Sequence, residues 1–301
     1  FLKVQDGCDY KCSYCTIPQA RGKSRSGTIS ELIDNAKYLV SNGVKEIVLT
    51  GVNIGDYGIF DIKTKKRETS FYELISNIEM IAGLERVRIS SIEPNLLTDE
   101  IIDFVYQSSC FVRHFHIPLQ SGSDKILRLM KRRYLRNLYF HRVEKIKELM
   151  PYCCIGVDVI VGFPGETDED FNDTYNFLRN LNISYLHVFS YSERDNTASL
   201  HIKNKVPKKI RALRSKILRK LSNEKKENFY RLNLNKVRPV LFESKNYDGY
   251  IFGYTDNYIR VKTTWSKKLI DKIIDCKLVG IDDDLVMNAK IYQKEPIILH
   301  Q

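Results

Sequence analysis

Three cysteines within the first fifteen residues, Cys8, Cys12 and Cys15, are spaced C-x3-C-x2-C. That spacing constrains the fold more than any other feature of the chain. Three cysteines cannot pair off as disulfides without leaving one odd. Thiolates select zinc, copper(I) or iron–sulfur centres over hard cations. Structural zinc wants a fourth Cys or His close by, whereas the next Cys is Cys110 and the first His is His114. A cubane iron–sulfur cluster held at three corners fits better. It leaves one iron without a protein ligand, free to bind a substrate or cofactor. Cys8, Cys12 and Cys15 are therefore the expected metal ligands and catalytic residues.

After this loop the chain alternates helical and strand patterns. Helices are expected over 29–41 with Thr28 as N-cap, 71–82, 99–106, 124–131, 138–150 and 168–181. Strands are expected over 46–50, 86–90, 114–118, 155–161 and 185–190. This order implies about six parallel βα units, an α/β class, and an open partial (β/α)6 barrel rather than a closed eight-fold one. Sites in such folds lie at the carboxyl ends of the strands. Polar turns follow four of them: Thr50 to Gly55, Ser90 to Pro94, Pro118 to Ser123 and Val161 to Thr167.

Together these segments resemble the methylthiotransferase branch of the radical S-adenosylmethionine (SAM) superfamily. The resemblance rests on Asp6-Gly7-Cys8, Ala20-Arg21-Gly22 with Arg25-Ser26, Leu119 to Ser123, Met130-x-Arg132-x-Tyr134 and Asp158 to Thr167, and it spans nearly the whole chain. Leu49 to Gly55, Arg88 to Glu93 and His187 to Ser192 look most like the threonylcarbamoyl-adenosine tRNA methylthiotransferases.

The resemblance implies a 4Fe-4S cluster on the three cysteines and SAM on its open iron. One SAM would methylate a sulfur on a second 4Fe-4S cluster. Another would yield a deoxyadenosyl radical that takes hydrogen from a modified adenine beside the anticodon. It further implies SAM contacts from Tyr14, Gly51, Asn53, Ser91, Glu93, Gln120, Arg132 and Val161. Arg132 would grip a carboxylate as a fork donor or pair with an acid on the surface. Gly51 would let backbone approach the ligand closely. Asp158, an acid within a buried strand, needs a partner. Relatives carry an N-terminal domain with three further cysteines for the second cluster. Cys110, Cys153, Cys154 and Cys276 do not match these and are expected to be buried thiols. The chain is thus expected to be a fragment that cleaves SAM without completing methylthiolation. Where relatives place Gly before Thr197, this chain has Asn196, which tolerates a left-handed backbone.

The net charge of +11 is concentrated. Between Lys203 and Lys226 there are eleven Lys and Arg against the single acid Glu224. Such a stripe suggests phosphate contact, although a solvated helix face is the ordinary reading. Pro207 is expected to open this helix, which runs towards Asn233. Short β-rich runs then span 237–243, 250–254, 258–264, 276–279 and 286–292. They read as a small antiparallel barrel similar to a TRAM domain. Its Tyr247, Tyr250, Phe252, Tyr254, Tyr258 and Trp265, interleaved with Lys245, Arg260, Lys262, Lys267 and Lys268, suit base stacking with phosphate contact.

The expected domains are a core at 1–203, a basic helical linker at 204–234 and an RNA-binding barrel at 235–301. Expected partners are a tRNA anticodon stem-loop and an electron donor for the cluster, with the protein a monomer. No apolar run approaches the ~20 residues of a membrane span. No signal peptide is read, and the clustered, odd cysteines suit a reducing cytoplasm. The alternatives are a methylthiotransferase acting on another tRNA nucleoside or a ribosomal protein, and a non-catalytic RNA-binding module with a structural metal.

Overall fold

The computed structural model describes residues 1–60, 63, 64 and 66–292. They form two compact units, divided between Lys225 and Lys226.

The first unit is built on six parallel strands in chain order: β1 (Leu2–Lys3), β2 (Glu46–Thr50), β3 (Arg86–Ile89), β4 (His114–His116), β5 (Cys154–Val161) and β6 (Tyr185–Ser190). Strands β3 and β4 are joined just ahead of β4, where Val87 bridges Phe111, three residues before His114. Among the described residues neither β1 nor β6 has a second neighbour strand, so the sheet is the expected open partial barrel. Its first strand has only two residues, too few to show a pattern.

Helices α1 (Ile17–Arg21), α2 (Ile29–Ser41), α3 (Phe71–Glu79), α4 (Asp99–Gln107), α5 (Asp124–Leu129), α6 (Arg136–Leu149) and α7 (Asp168–Asn180) connect the strands. Most start on a hydroxyl cap. Thr28, Ser70 and Thr167 each close a capping box with the acid three residues on. Helix α3 stops three residues short of the expected end. Its last amides, Met80 and Ile81, bond three residues back, to Asn77 and Ile78, and Gly83 then takes a φ of 79°. The core lies between the sheet and this helical shell, with Leu49, Leu74, Ile78, Phe115, Tyr139, Ile155 and Val159 all fully buried.

Helix α8 (Lys208–Arg231) follows Pro207. Its charge is not all presented to solvent. Arg211 is buried and pairs with Glu193 at 2.7 Å, while also donating to the carbonyls of Val206 and Tyr191. Arg214 is buried against Glu166 at 2.5 Å and Asp168 at 2.7 Å. Lys225 caps the end of α7 by donating to the Arg179 and Leu181 carbonyls. These cations fasten the part of α8 that belongs to the first unit to its neighbours there. Lys208, Lys209, Lys216, Arg219 and Lys220 remain exposed.

The second unit contains a closed five-stranded barrel: β7 (Val237–Tyr247), β8 (Tyr250–Thr255), β9 (Arg260–Thr264), β10 (Ile273–Ile281) and β11 (Met287–Ile291). The expectation of an antiparallel barrel needs correction, because β9 and β11 pair in parallel through Val261 with Met287. The reason is arithmetic. Directions cannot alternate all the way round a closed ring of five, so at least one neighbouring pair must run parallel. No helix among the described residues is long and apolar enough to cross a membrane.

Candidate cluster and cofactor site

The cysteine loop leaves β1 through Gln5 and Asp6, which pair with Arg25 and Ser26. Asp6 gathers the surrounding cations: Arg21 grips it with two bonds of 2.9 Å, Arg25 reaches it at 2.7 Å and Lys3 at 3.1 Å. Although burial opposes its charge, these donors and the Gly7 amide hold its carboxyl far below the usual range. Gly7 has a φ of 71°, and a Cβ there would lie 2.0 Å from the Lys23 carbonyl oxygen. Only glycine fits, and the turn delivers Cys8, whose amide bonds the Gly22 carbonyl. Further along, the Ser13 amide and hydroxyl bond the Met130 and Leu129 carbonyls.

Cys8, Cys12 and Cys15 are all free and half-buried. Burial pushes the Cys8 thiol up to about 11, opposed by the Tyr10 amide and reinforced by Cys12 and Cys15. Burial also raises Cys12, against the pull of Arg132, whose Nη1 lies 3.1 Å from Cys12 Sγ. The three sulfurs therefore feel one another across one loop. Their donor set suits a soft metal centre that would replace three protons.

Arg132 and Glu93 meet here, but as partners to each other. Arg132 Nη2 is bonded to Glu93, Nη1 also approaches the Tyr14 hydroxyl at 3.4 Å, and Nε donates to Tyr134 at 3.1 Å. Its side chain is only 3% exposed. Of the two expected roles, pairing with an acid is the one seen, though in the interior and not at the surface. Tyr14 packs edge-on against Phe163 at 6.2 Å, and burial raises its hydroxyl.

Asn53, another expected SAM contact, stands out. It is 4% exposed, and among the described residues neither polar atom of its side-chain amide has a hydrogen-bond partner. Its backbone amide donates to Gln5 Oε1 at 2.8 Å, which holds the main chain there while leaving the side chain unsatisfied. Gln5 in turn donates to the Gly7 carbonyl at 2.8 Å, which ties this orphaned amide to the cysteine loop, and an orphaned buried amide is what a site built for a polar ligand looks like. Gly51 has a packing reason of its own, since a Cβ there would meet Ile54 at 2.6 Å. Ser91 is half-buried beyond β3. Val161 has a buried side chain, and its carbonyl accepts from the Tyr191 amide at 2.9 Å. Gln120 takes a φ of 69°, costly for a side-chain-bearing residue and a feature of functional turns.

Below this rim the barrel lumen is polar. Asp158 Oδ1 lies 2.9 Å from His116 Nε2 and 3.3 Å from His187 Nδ1. Burial would raise the carboxyl, but the two imidazoles hold it well below its ordinary value. The partner expected for Asp158 is thus a pair of histidines. The sequence does not single them out, because a His in a short strand carries no motif of its own. The available signal was positional, since the parallel register sets Asp158 opposite His187. A pocket of about 250 Å³ opens above, lined by Tyr14, Gln120, Asp158, Phe189, Ser190 and Arg194, among others. Asn196 takes the left-handed backbone expected of it, at a φ of 59°. Cys110, Cys153, Cys154 and Cys276 are buried free thiols.

In the barrel unit, Tyr247 and Tyr250 are exposed. Arg260 lies over Phe252 and Tyr254 while pairing with Glu243, and Lys262 reaches Tyr250.

The Radical SAM superfamily model matches residues 2–178. A threonylcarbamoyladenosine tRNA methylthiotransferase of Bacillus subtilis (strain 168) is 38% identical over 283 residues, covering 92% of this chain and 62% of that protein. A namesake from Aquifex aeolicus (strain VF5) is 39% identical over 270 residues, covering 89% and 63%. A tRNA-2-methylthio-N(6)-dimethylallyladenosine synthase of Clostridium tetani is 37% identical over 280 residues, covering 92% and 61%. The chain therefore spans about 62% of the length of the first of these relatives. Among solved structures, the radical S-adenosylmethionine methyltransferase TsrM of Kitasatospora setae has a TM-score of 0.52 at 17% identity, covering 63% of this chain and 36% of that one. Coproporphyrinogen III oxidase of Escherichia coli has a TM-score of 0.50 at 14% identity, covering 75% and 54%. These last two likenesses concern the fold.

Proposed function

Because the chain belongs to the Radical SAM superfamily, we propose that it is the radical core and RNA-binding barrel of a tRNA methylthiotransferase acting on N6-threonylcarbamoyl-adenosine beside the anticodon. The observation that carries this reading is the conjunction of three free thiols on one loop with an unsatisfied buried amide, Asn53, tied to that loop through Gln5, which accepts from the Asn53 backbone amide and donates to the Gly7 carbonyl. A three-thiolate cluster with SAM bound supplies reductive cleavage of a sulfonium. The chain's own residues do the rest. Cys8, Cys12 and Cys15 would hold the metal. Arg132, donating to Cys12 Sγ, favours thiolate over thiol. Glu93 keeps Arg132 aimed, and Asn53 would satisfy its amide on the polar end of SAM. Tyr14 and Phe163 wall the site against water. Exposed cations of α8 and the aromatics of the barrel would receive tRNA, and a cellular reductant would supply the electron. Such an enzyme works in the cytoplasm, where tRNA matures.

The substrate assignment rests on relatives named for threonylcarbamoyl-adenosine at 38% and 39% identity, against 37% for one named for dimethylallyl-adenosine. The test has two parts. Anaerobic reconstitution and reduction of the chain should release 5′-deoxyadenosine from SAM. Mass spectrometry of tRNA nucleosides from cells lacking the whole protein should show loss of the methylthio form of threonylcarbamoyl-adenosine. Loss of the dimethylallyl form instead would give the function to the other branch. A colourless, zinc-loaded protein without turnover would reduce it to a binding module.

A further inference from the structure

The pocket above Asp158 shares Tyr14 and Gln120 with the expected SAM contacts, but Asp158, Phe189 and Arg194, which also line it, are not among those contacts. Its sides include the aromatic faces of Tyr14 and Phe189, and Phe189 is 52% exposed at the end of β6. A large exposed aromatic at a barrel mouth offers a face against which a flat ring can pack. Asp158 is set into this pocket as an acceptor. Both histidines engage the same oxygen, Oδ1, and no described residue donates to Oδ2. At the rim stands Arg194, also lining the pocket. Its guanidinium makes no ion pair or hydrogen bond among the described residues.

Yet the backbone carrying Arg194 is held. Its carbonyl accepts from the Thr197 hydroxyl at 2.7 Å, and the Asn196 carbonyl accepts from Gln19 at 2.8 Å. The neighbouring acid, Glu193, is already taken by Arg211. The loop is thus pinned while one cation is left unpaired, among the described residues, over a pocket of aromatic and polar side chains with a fixed anion inside. Such a pocket is complementary to a flat ring carrying an N–H donor and, some atoms away, an anionic group.

We propose that this pocket is the specificity site for the substrate base. The ring would lie against Phe189, an N–H of the substituent would donate to Asp158 Oδ2, and Arg194 would pair with the substituent's carboxylate. His116 and His187 are positioning residues, which fix the carboxylate so that its free oxygen faces the pocket. This assignment rests on the proposed function and deepens it. An N6-threonylcarbamoyl group has both the N–H and the carboxylate. A dimethylallyl group has no carboxylate, and Arg194 would then stand unpaired over a hydrocarbon.

The experiment uses the whole protein that contains this chain, reconstituted anaerobically. Binding of two anticodon stem-loops, one with N6-threonylcarbamoyl-adenosine and one with plain adenosine, is measured by fluorescence anisotropy. SAM binding is measured alongside by equilibrium dialysis. Wild type should prefer the modified stem-loop. Arg194→Gln should lose about ten- to hundredfold of affinity for it, the value of a charge-assisted hydrogen bond, and leave plain RNA and SAM unchanged. Arg194→Lys should recover part of the loss, and Asp158→Asn should also lower the preference. Because Arg194 is exposed, its variants test the idea even if the Asp158 variant fails to fold. Equal loss for both RNAs would make Arg194 a phosphate contact and overturn the assignment. Weakened SAM binding would give the pocket to the cofactor, again overturning it. A preference unchanged in the Arg194 variants defeats this inference alone, whereas a wild type without preference defeats the proposed function as well.

Discussion

Replacing Arg132 by Met should unseat the first unit more than any single cysteine change. The guanidinium is 3% exposed and binds Glu93, the Cys12 sulfur at 3.1 Å, and the Tyr134 hydroxyl at 3.1 Å. Burial works against its charge, but Tyr134, Tyr14, Glu93 and Cys12 together keep it firmly protonated. Methionine fills similar space but strands Glu93, whose side chain is 16% exposed, without its counter-charge. Breaking a buried ion pair from one side costs about 3–5 kcal/mol. With an m-value of about 2–3 kcal/mol per M urea for a unit of this size, the midpoint should fall by about 1–2 M. Circular dichroism at 222 nm is the suitable probe, since α1 to α7 all lie in the first unit. The cost should be non-additive with Glu93→Leu, and the double variant should regain about 1–3 kcal/mol. A loss below about 1 kcal/mol, or strict additivity, would refute the view that the two residues are each other's partners.

Gly7→Ala should abolish cluster assembly, read as iron bound per chain, because its Cβ would strike the Lys23 carbonyl at 2.0 Å; normal iron content would contradict the fixed turn. Loading iron–sulfur into the unloaded chain should release protons near neutral pH, measured in weak buffer, because burial holds the Cys8 thiol up at about 11. The Asp158 carboxyl is depressed in the folded state, so its contribution is present above about pH 4, the unfolded value, and lost as pH falls through the folded one. The stability gap between wild type and Asp158→Asn, from urea titrations at several pH values, should accordingly shrink below pH 4; a gap independent of pH would remove the histidine–aspartate pairing.

Much of this architecture was legible because local chemistry and global fold agree. Thr28 and Glu31, or Thr167 and Asp170, announce a helix start through a reciprocal bond that needs no tertiary context. Strand β5 reads as one apolar run because a parallel strand is covered on both faces. What escaped was set by distant partners. That Arg211 and Arg214 serve as buried anchors depends on Glu193, Glu166 and Asp168, which a charge count along α8 cannot reveal. The start of β9 at Arg260 rather than Tyr258 follows from the positive φ of Tyr258, at 63°. The lumen triad requires the register between β4, β5 and β6, which fixes three residues from separate segments around one carboxylate oxygen. At the site, the spacing of the cysteines was sufficient to expect three thiols on one loop, where the structure has them free and half-buried, while the mutual pairing of Arg132 and Glu93 was not written in either motif.

The central claim is a four-iron cluster held by Cys8, Cys12 and Cys15 with one iron left open. Mössbauer spectroscopy of the anaerobically reconstituted, iron-57-labelled chain tests it directly. About four irons per chain should appear, absent from the triple Cys-to-Ser variant, and added SAM should alter the signal of a single iron. Four irons indifferent to SAM, or a single tetrahedral ion in their place, would contradict it.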